Sequence, residues 1–200
     1  MPGLSLPRRL LKLVHPEGIP WPGSALYNAL TSAQPLQRHY YGTVAQDIVD
    51  HCSQGALLDI GTGPGWLLLR VHECSEQMQL VGIDASAAMA HKARVNVGSA
   101  GLDDAVHVLA GNADHLPLAD ASVDVVVSTG SIHHWKSPAL AMGEIHRVLK
   151  PGGYALLYDV VTDTPSAVVR GLARCYGWLW VVLFWLHGFQ EPFYGREAYE

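Results

Sequence analysis

Two hundred residues with 49% apolar and 16% charged side chains are about one domain's worth of chain, too apolar for a disordered segment. The net charge of −5 is distributed as +2 over residues 1–30, −7 over 31–169 and zero over 170–200, which argues against a broad basic face for nucleic acid. Cys52, Cys74 and Cys175 are far apart and form no CxxC, so a disulfide scaffold and a zinc ribbon are not expected, and a reducing, cytoplasmic setting fits.

Arg8-Arg9-Leu10-Leu11-Lys12 is followed by no apolar stretch, because Lys12, His15, Pro16 and Glu17 interrupt it, so no export signal is expected. Residues 1–24 are rich in Pro and Gly and read as irregular; residues 25–52 read as helical with a break near Pro35, Ala45, Ile48, Val49 and Cys52 sharing one face. From residue 55 the chain alternates. Strands are expected at 56–60, 80–84, 106–109, 123–127 and 154–158, and helices at 64–75, 86–99 and 138–149. The last of these helices has Leu140, Met142, Ile145, Val148 and Leu149 as its apolar set and Pro151-Gly152-Gly153 as its stop. The unbroken apolar run at 123–127 suits a strand covered on both faces. Strands alternating with helices at this spacing mean βαβ units, a parallel sheet, and a ligand beyond the carboxyl ends of the strands. Residues 175–186 carry no charge. The run is short for a membrane span, so a buried or partner-covered helix is the first expectation and contact with a membrane surface the second.

The strand ends carry the chemistry. The first strand runs into Asp59-Ile60-Gly61-Thr62-Gly63-Pro64-Gly65, a turn whose glycines let backbone pass close to a ligand. A dinucleotide fingerprint needs G-x-G-x-x-G, and here the third glycine comes one residue early. The second strand ends in Asp84, where a carboxylate can accept both hydroxyl hydrogens of a ribose; Ser86 can cap the helix that follows. After the third strand Asp114 can accept from an exocyclic amine of adenine or simply form a turn. After the fourth come Ser128-Thr129-Gly130-Ser131-Ile132-His133-His134-Trp135, where the reactive end of a ligand would lie.

The stretches LLDIGTGPG (57–65), VGIDAS (81–86), GNADHLPLADASVDVVVSTGSIHHW (111–135) and EIHRVLKPGGYALLYD (144–159) cover about half the chain. In this order and spacing they resemble a class I S-adenosylmethionine-dependent methyltransferase. The last two are most similar to the small-molecule branch that includes ubiquinone/menaquinone-biosynthesis methyltransferases. The resemblance implies an α/β fold, a Rossmann-like doubly wound parallel sheet, and S-adenosylmethionine as cofactor. It places Asp59, Gly61, Thr62, Gly63 and Gly65 around the methionine portion, Asp84 with Ala85 at the ribose, and Asn112, Ala113 and Asp114 at the adenine. Ser128 and Gly130 would line the floor beneath the sulfonium, and Tyr40 or Tyr41 would close over the cofactor. On this reading Asp84→Ala removes most cofactor affinity and leaves the fold intact.

Methyl transfer from a sulfonium is an in-line displacement, in which the protein supplies mainly alignment and desolvation. A base is needed only for a protonated acceptor, and His133 or His134, at most one of them, sits where it would be. His51, His72, His91, His107, His115 and His146 lack ligand spacing, so no metal site is expected. Nucleic-acid base methyltransferases typically carry Asn/Asp-Pro-Pro-aromatic after the fourth strand; this chain has Ser128-Thr129-Gly130-Ser131, which favours a small organic acceptor. Trp178, Trp180, Phe184 and Trp185 would make a greasy lid for a lipophilic one. The expected organisation is a cap over residues 1–50, a cofactor-binding core over 51–160, and an apolar insertion or lid over 161–200. Similar proteins continue into an antiparallel hairpin that this sequence lacks, leaving the fifth strand as an edge. A fragment or a homodimer covering that edge is the corresponding expectation. The alternative function is a cofactor-binding or interaction module without turnover.

Overall fold

The structure is a computed structural model that describes residues 35–159, 164–179 and 181. The expectations for residues 1–34, 160–163, 180 and 182–200, including Trp180, Phe184 and Trp185, lie outside the described residues. In chain order the elements are α1 (Pro35–His51), β1 (Gly55–Ile60), α2 (Trp66–Cys74), β2 (Met78–Asp84), α3 (Ala87–Ser99), β3 (Val106–Ala110), β4 (Val123–Thr129), α4 (Pro138–Val148), β5 (Leu149–Tyr158) and α5 (Ser166–Tyr176). A 3₁₀ turn, Ile132–His134, follows β4.

All strand pairs are parallel, in the order β3-β2-β1-β4-β5. The order reverses between β1 and β4, so a crevice opens beyond their carboxyl ends. Alternate side chains of the central strands feed two cores. Leu57, Leu80, Val125 and Val127 pack against α1, α2 and α3 through residues such as Ile48, Leu68 and Ala93. Leu58, Ile60, Ile83 and Val126 pack against α4 and the 3₁₀ turn through Ala141, Ile145, Val148 and Ile132. Val123, Val125, Val126 and Val127 are all buried, as a strand covered on both faces requires.

Two local expectations are corrected. Leu140 and Met142 are exposed, at 61% and 41%, because the buried stripe of α4 runs through Ala141, Ile145 and Val148 at helical spacing. Nor does Pro151-Gly152-Gly153 stop that helix. Leu149 is already extended (φ −69°, ψ 134°) and begins β5, and the proline and glycines form an irregularity within the strand, where pairing passes from Val123 with Leu149 to Val125 with Tyr154.

Helix α4 also fixes the segment between β3 and β4. Arg147 donates to the carbonyls of Leu116 (3.1 Å) and Leu118 (2.8 Å), and to Glu144 and Asp120. Glu144 accepts the Leu116 amide at 2.7 Å; the Arg147 hydrogen bond, then that amide, holds its carboxyl down at about 2.

In the apolar run, Cys175, Trp178 and Leu179 are exposed, the last two at 59% and 66%. The expected burial is therefore not met within this chain at those positions. Among the described residues no helix is long and apolar enough to cross a membrane.

Candidate active site

A cleft of about 860 Å³, including its open mouth, lies beyond the carboxyl ends of β1, β2 and β4. One end is formed by the turn after β1 (Gly61, Thr62, Gly63, Pro64), by Asp84, Ala85 and Met89, and by Gly111, Asn112, Ala113 and Asp114. The other end is formed by Thr129, Gly130, Ser131, His134, Trp135, Lys136 and Ser137. Tyr41, from α1, also lines it.

The floor is a backbone lattice. The amides of Gly61 and Thr62 both donate to the Ile83 carbonyl, at 2.8 and 3.0 Å, so the glycine turn is tied back onto β2. Gly61 takes φ +77°, and an added Cβ would land on Cβ and Oγ of Ser131. The Ser131 hydroxyl in turn donates to the Ile60 carbonyl at 3.0 Å and contacts the Ser128 hydroxyl at 2.7 Å. Gly63 takes φ +53° and, among the described residues, has nothing within 4 Å of its Cβ direction, so its missing side chain keeps the cleft open.

Two carboxylates organise the first end. The Asp84 oxygens accept the amides of Gly63 and Ser86, each at 2.8 Å, so one side chain pins both the glycine turn and the start of α3. Burial raises its pKa, and those two amides oppose the rise. The Ser86 hydroxyl caps α3 by accepting the Met89 amide at 3.3 Å, as expected from its position. Asp59 lies behind the glycine turn, 1% exposed, and among the described residues neither of its oxygens has a hydrogen-bond partner. Burial pushes its carboxyl up to about 7; the Thr62 hydroxyl nearby pulls it down, without a hydrogen bond of normal geometry, and the Asp84 charge pushes it up.

Most of the residues singled out from sequence come together here. Gly61, Thr62, Gly63, Asp84, Ala85, Asn112, Ala113, Asp114, Gly130 and His134 line the cleft. Others stand elsewhere. Tyr40 is 38% exposed and lines a separate shallow groove with Thr43 and Asp47, so Tyr41 is the tyrosine of α1 at the cleft. Gly65 packs on Ala93, its Cβ direction 3.2 Å from the alanine methyl, so it serves the approach of α2 to α3. Ser128 is fully buried one layer below the floor, donating to the Ile60 carbonyl at 2.9 Å. His133 is 2% exposed and turned away from the cleft, its ring Nδ1 2.8 Å from Asp159. Lys136, Ser137 and Asp159 lie outside the residues that the sequence assigns to the site. Asp159 was findable, because it follows the fifth strand as Asp84 ends the second, and parallel pairing carries it beside the end of β4.

The residues fit a cationic nucleoside. A buried carboxylate with two unpartnered oxygens, beside a second carboxylate and behind an open glycine turn, favours positive charge at that point and disfavours the pyrophosphate of a dinucleotide. With the strand order and the carboxylate ending β2, this defines a class I S-adenosylmethionine-dependent methyltransferase fold. The chain belongs to the methyltransferase-domain family, whose model matches residues 58–157. It is 32% identical to the demethylmenaquinone methyltransferase of Lactiplantibacillus plantarum, over 78% of this chain and 66% of that protein. It is 34% identical to the arsenite methyltransferase of Halobacterium salinarum, over 54% of this chain and 28% of that protein. The chain thus spans less than two thirds of these relatives' length. Among solved structures, the S-adenosylmethionine-dependent methyltransferase of Aquifex aeolicus superposes with a TM-score of 0.55 at 26% identity, over 60% of this chain and 66% of that one.

Proposed function

We propose that this chain transfers the methyl group of S-adenosylmethionine to a small organic acceptor by direct in-line displacement. The observation that carries the reading is the buried, unpartnered Asp59 carboxylate behind the open turn at Gly63. When bound, the cofactor supplies an activated methyl group on a sulfonium sulfur. Asp59 and the turn residues Gly61, Thr62 and Gly63 hold its amino-acid portion. Asp84 accepts from the ribose hydroxyls, Ala85 packs beside them, and Asn112, Ala113 and Asp114 meet the adenine. Tyr41 excludes water from one side. At the other end a ring nitrogen of His134 takes the proton from an acceptor that carries one at neutral pH. Residues 35–50 contribute to a cap, 51–159 form the cofactor-binding core, and 164–179 contribute to a lid. The exposed Trp178 and Leu179, with the similarity to a demethylmenaquinone methyltransferase, support a lipophilic acceptor of the quinol kind.

Thermal unfolding with S-adenosylhomocysteine, and with NAD alongside, tests the cofactor. At about 100 times the dissociation constant the gain is about 2.7 kcal/mol, a melting shift of roughly 5–11 °C. S-adenosylhomocysteine is expected to give this shift and NAD none; a shift with NAD alone, or with neither, overturns the reading.

Two glycines separate folding from binding. Gly61→Ala forces a positive φ on alanine and a collision with Ser131, a loss of roughly 2–5 kcal/mol visible in urea unfolding. Gly63→Ala meets open space, so its main expected effect is weaker S-adenosylhomocysteine binding in calorimetry, with only about 1–2 kcal/mol of fold stability lost. The opposite ranking would contradict the placement of the turn.

A further inference from the structure

Resting on that function, we propose that Asp159 and His133 are positioning residues that fix His134 at the acceptor end of the cleft. The 3₁₀ turn that carries both histidines is only three residues long, too short to hold its side chains by its own hydrogen bonds. It is fastened from β5 instead. The Gly130 amide donates to the Tyr158 carbonyl at 2.8 Å, which closes the end of β4 against the end of β5. The next residue, Asp159, then meets the turn. Its Oδ2 accepts the His133 amide at 3.1 Å, and its two oxygens lie 2.8 and 3.0 Å from His133 Nδ1. Backbone and ring of one histidine are thus gripped by one carboxylate, with both side chains 2% exposed.

A carboxylate only accepts, so the shared proton sits on His133 Nδ1 and the tautomer is fixed. The His133 ring lies against the His134 ring, centroids 4.2 Å apart and planes 40° from parallel, and His134 lines the cleft beside Ser131 and Lys136. The layers therefore run from Asp159 to His133 to His134 to the acceptor. An apolar pair of similar volume would fill the same space without the desolvation cost of a carboxylate and an imidazole, so packing alone does not account for this pair.

Long-range ¹H–¹⁵N correlation spectra of the histidine rings test this on the full chain. In the wild type, His133 is expected as the Nδ1–H tautomer, with cross-relaxation between its ring protons and those of His134. The Nε2–H tautomer, or a His134 ring showing no contact with His133, overturns the proposal. In Asp159→Asn the His134 ring signals are expected to move or broaden, while the dissociation constant for S-adenosylhomocysteine stays within about twofold. Unmoved His134 signals in that variant overturn the proposal. If Asp159→Asn fails to fold, the wild-type tautomer and ring contact decide. Failure of the wild type to bind S-adenosylhomocysteine would count against the methyltransferase reading and leave the His134 result to stand by itself.

Discussion

Asp84→Ala is expected to lower the affinity for S-adenosylhomocysteine by at least about 100-fold. Two hydrogen bonds from ribose hydroxyls to an ionised carboxylate are worth about 1.5–3 kcal/mol each, and each 1.4 kcal/mol is tenfold in affinity. The structure adds a second effect that the sequence alone did not show. The same carboxylate holds the Gly63 and Ser86 amides, so alanine also leaves those two donors without their acceptor. At about 1–3 kcal/mol for each orphaned donor, the unliganded protein should melt several degrees lower, and the fold is not left untouched. Asp84→Asn separates the contributions. Its amide oxygen can accept one amide, but its NH₂ faces a donor, so part of the melting temperature returns while affinity stays low. Calorimetry with S-adenosylhomocysteine and thermal unfolding of the unliganded chain measure the two effects. Affinity within about threefold of wild type in either variant would remove Asp84 from the ribose site.

What could be read from sequence follows the physics of each signal. The strands of this parallel sheet announce themselves as apolar runs, and all five lie where those runs lie, most beginning or ending a residue or two beyond them. Glycines and carboxylates at strand ends were legible because a parallel sheet collects those ends in one crevice. Much of what the sequence leaves open depends on direction rather than position. Tyr40 and Tyr41 are neighbours on one helix, about 100° apart around its axis, and periodicity alone does not say which faces the crevice. His133 and His134 pose the same problem, and only the pairing of β4 with β5, which delivers Asp159, shows which one is buried. Ser128 and Gly65 sit inside the right motifs but serve the layer beneath and the approach of two helices. Hydrophobicity alone points Leu140 and Met142 inward, but the α4 stripe that meets the sheet runs through the smaller Ala141.

The unliganded chain should lose stability between pH 4 and 8 through Asp59, and Asp59→Asn should restore it. In the unfolded chain this carboxyl titrates at its ordinary value, 3.8; in the native state burial, opposed by the Thr62 hydroxyl and aided by the Asp84 charge, lifts it to about 7. The native protein therefore holds a proton that the unfolded chain gives up. The stability this proton contributes is fully present below pH 4 and is lost as pH rises through about 7. A difference of about three pKa units corresponds to roughly 4 kcal/mol as an upper figure. Asparagine keeps the shape and cannot ionise. Relative to wild type, Asp59→Asn should thus be about equal in stability at pH 4 and up to about 4 kcal/mol more stable at pH 8, with a higher melting temperature there. Binding should show the opposite sign. A cationic amino group beside Asp59 favours the ionised carboxylate, so wild-type affinity for S-adenosylhomocysteine should rise with pH, by up to tenfold per unit, and level off above about 7. Asp59→Asn should bind more weakly at pH 8 and lose that slope. Urea unfolding and titration calorimetry of both proteins across this range supply the comparison. A wild-type-minus-variant stability difference that does not change with pH would show that Asp59 is ionised throughout. The unpartnered carboxylate would then have to be neutralised from within the protein rather than by the cofactor.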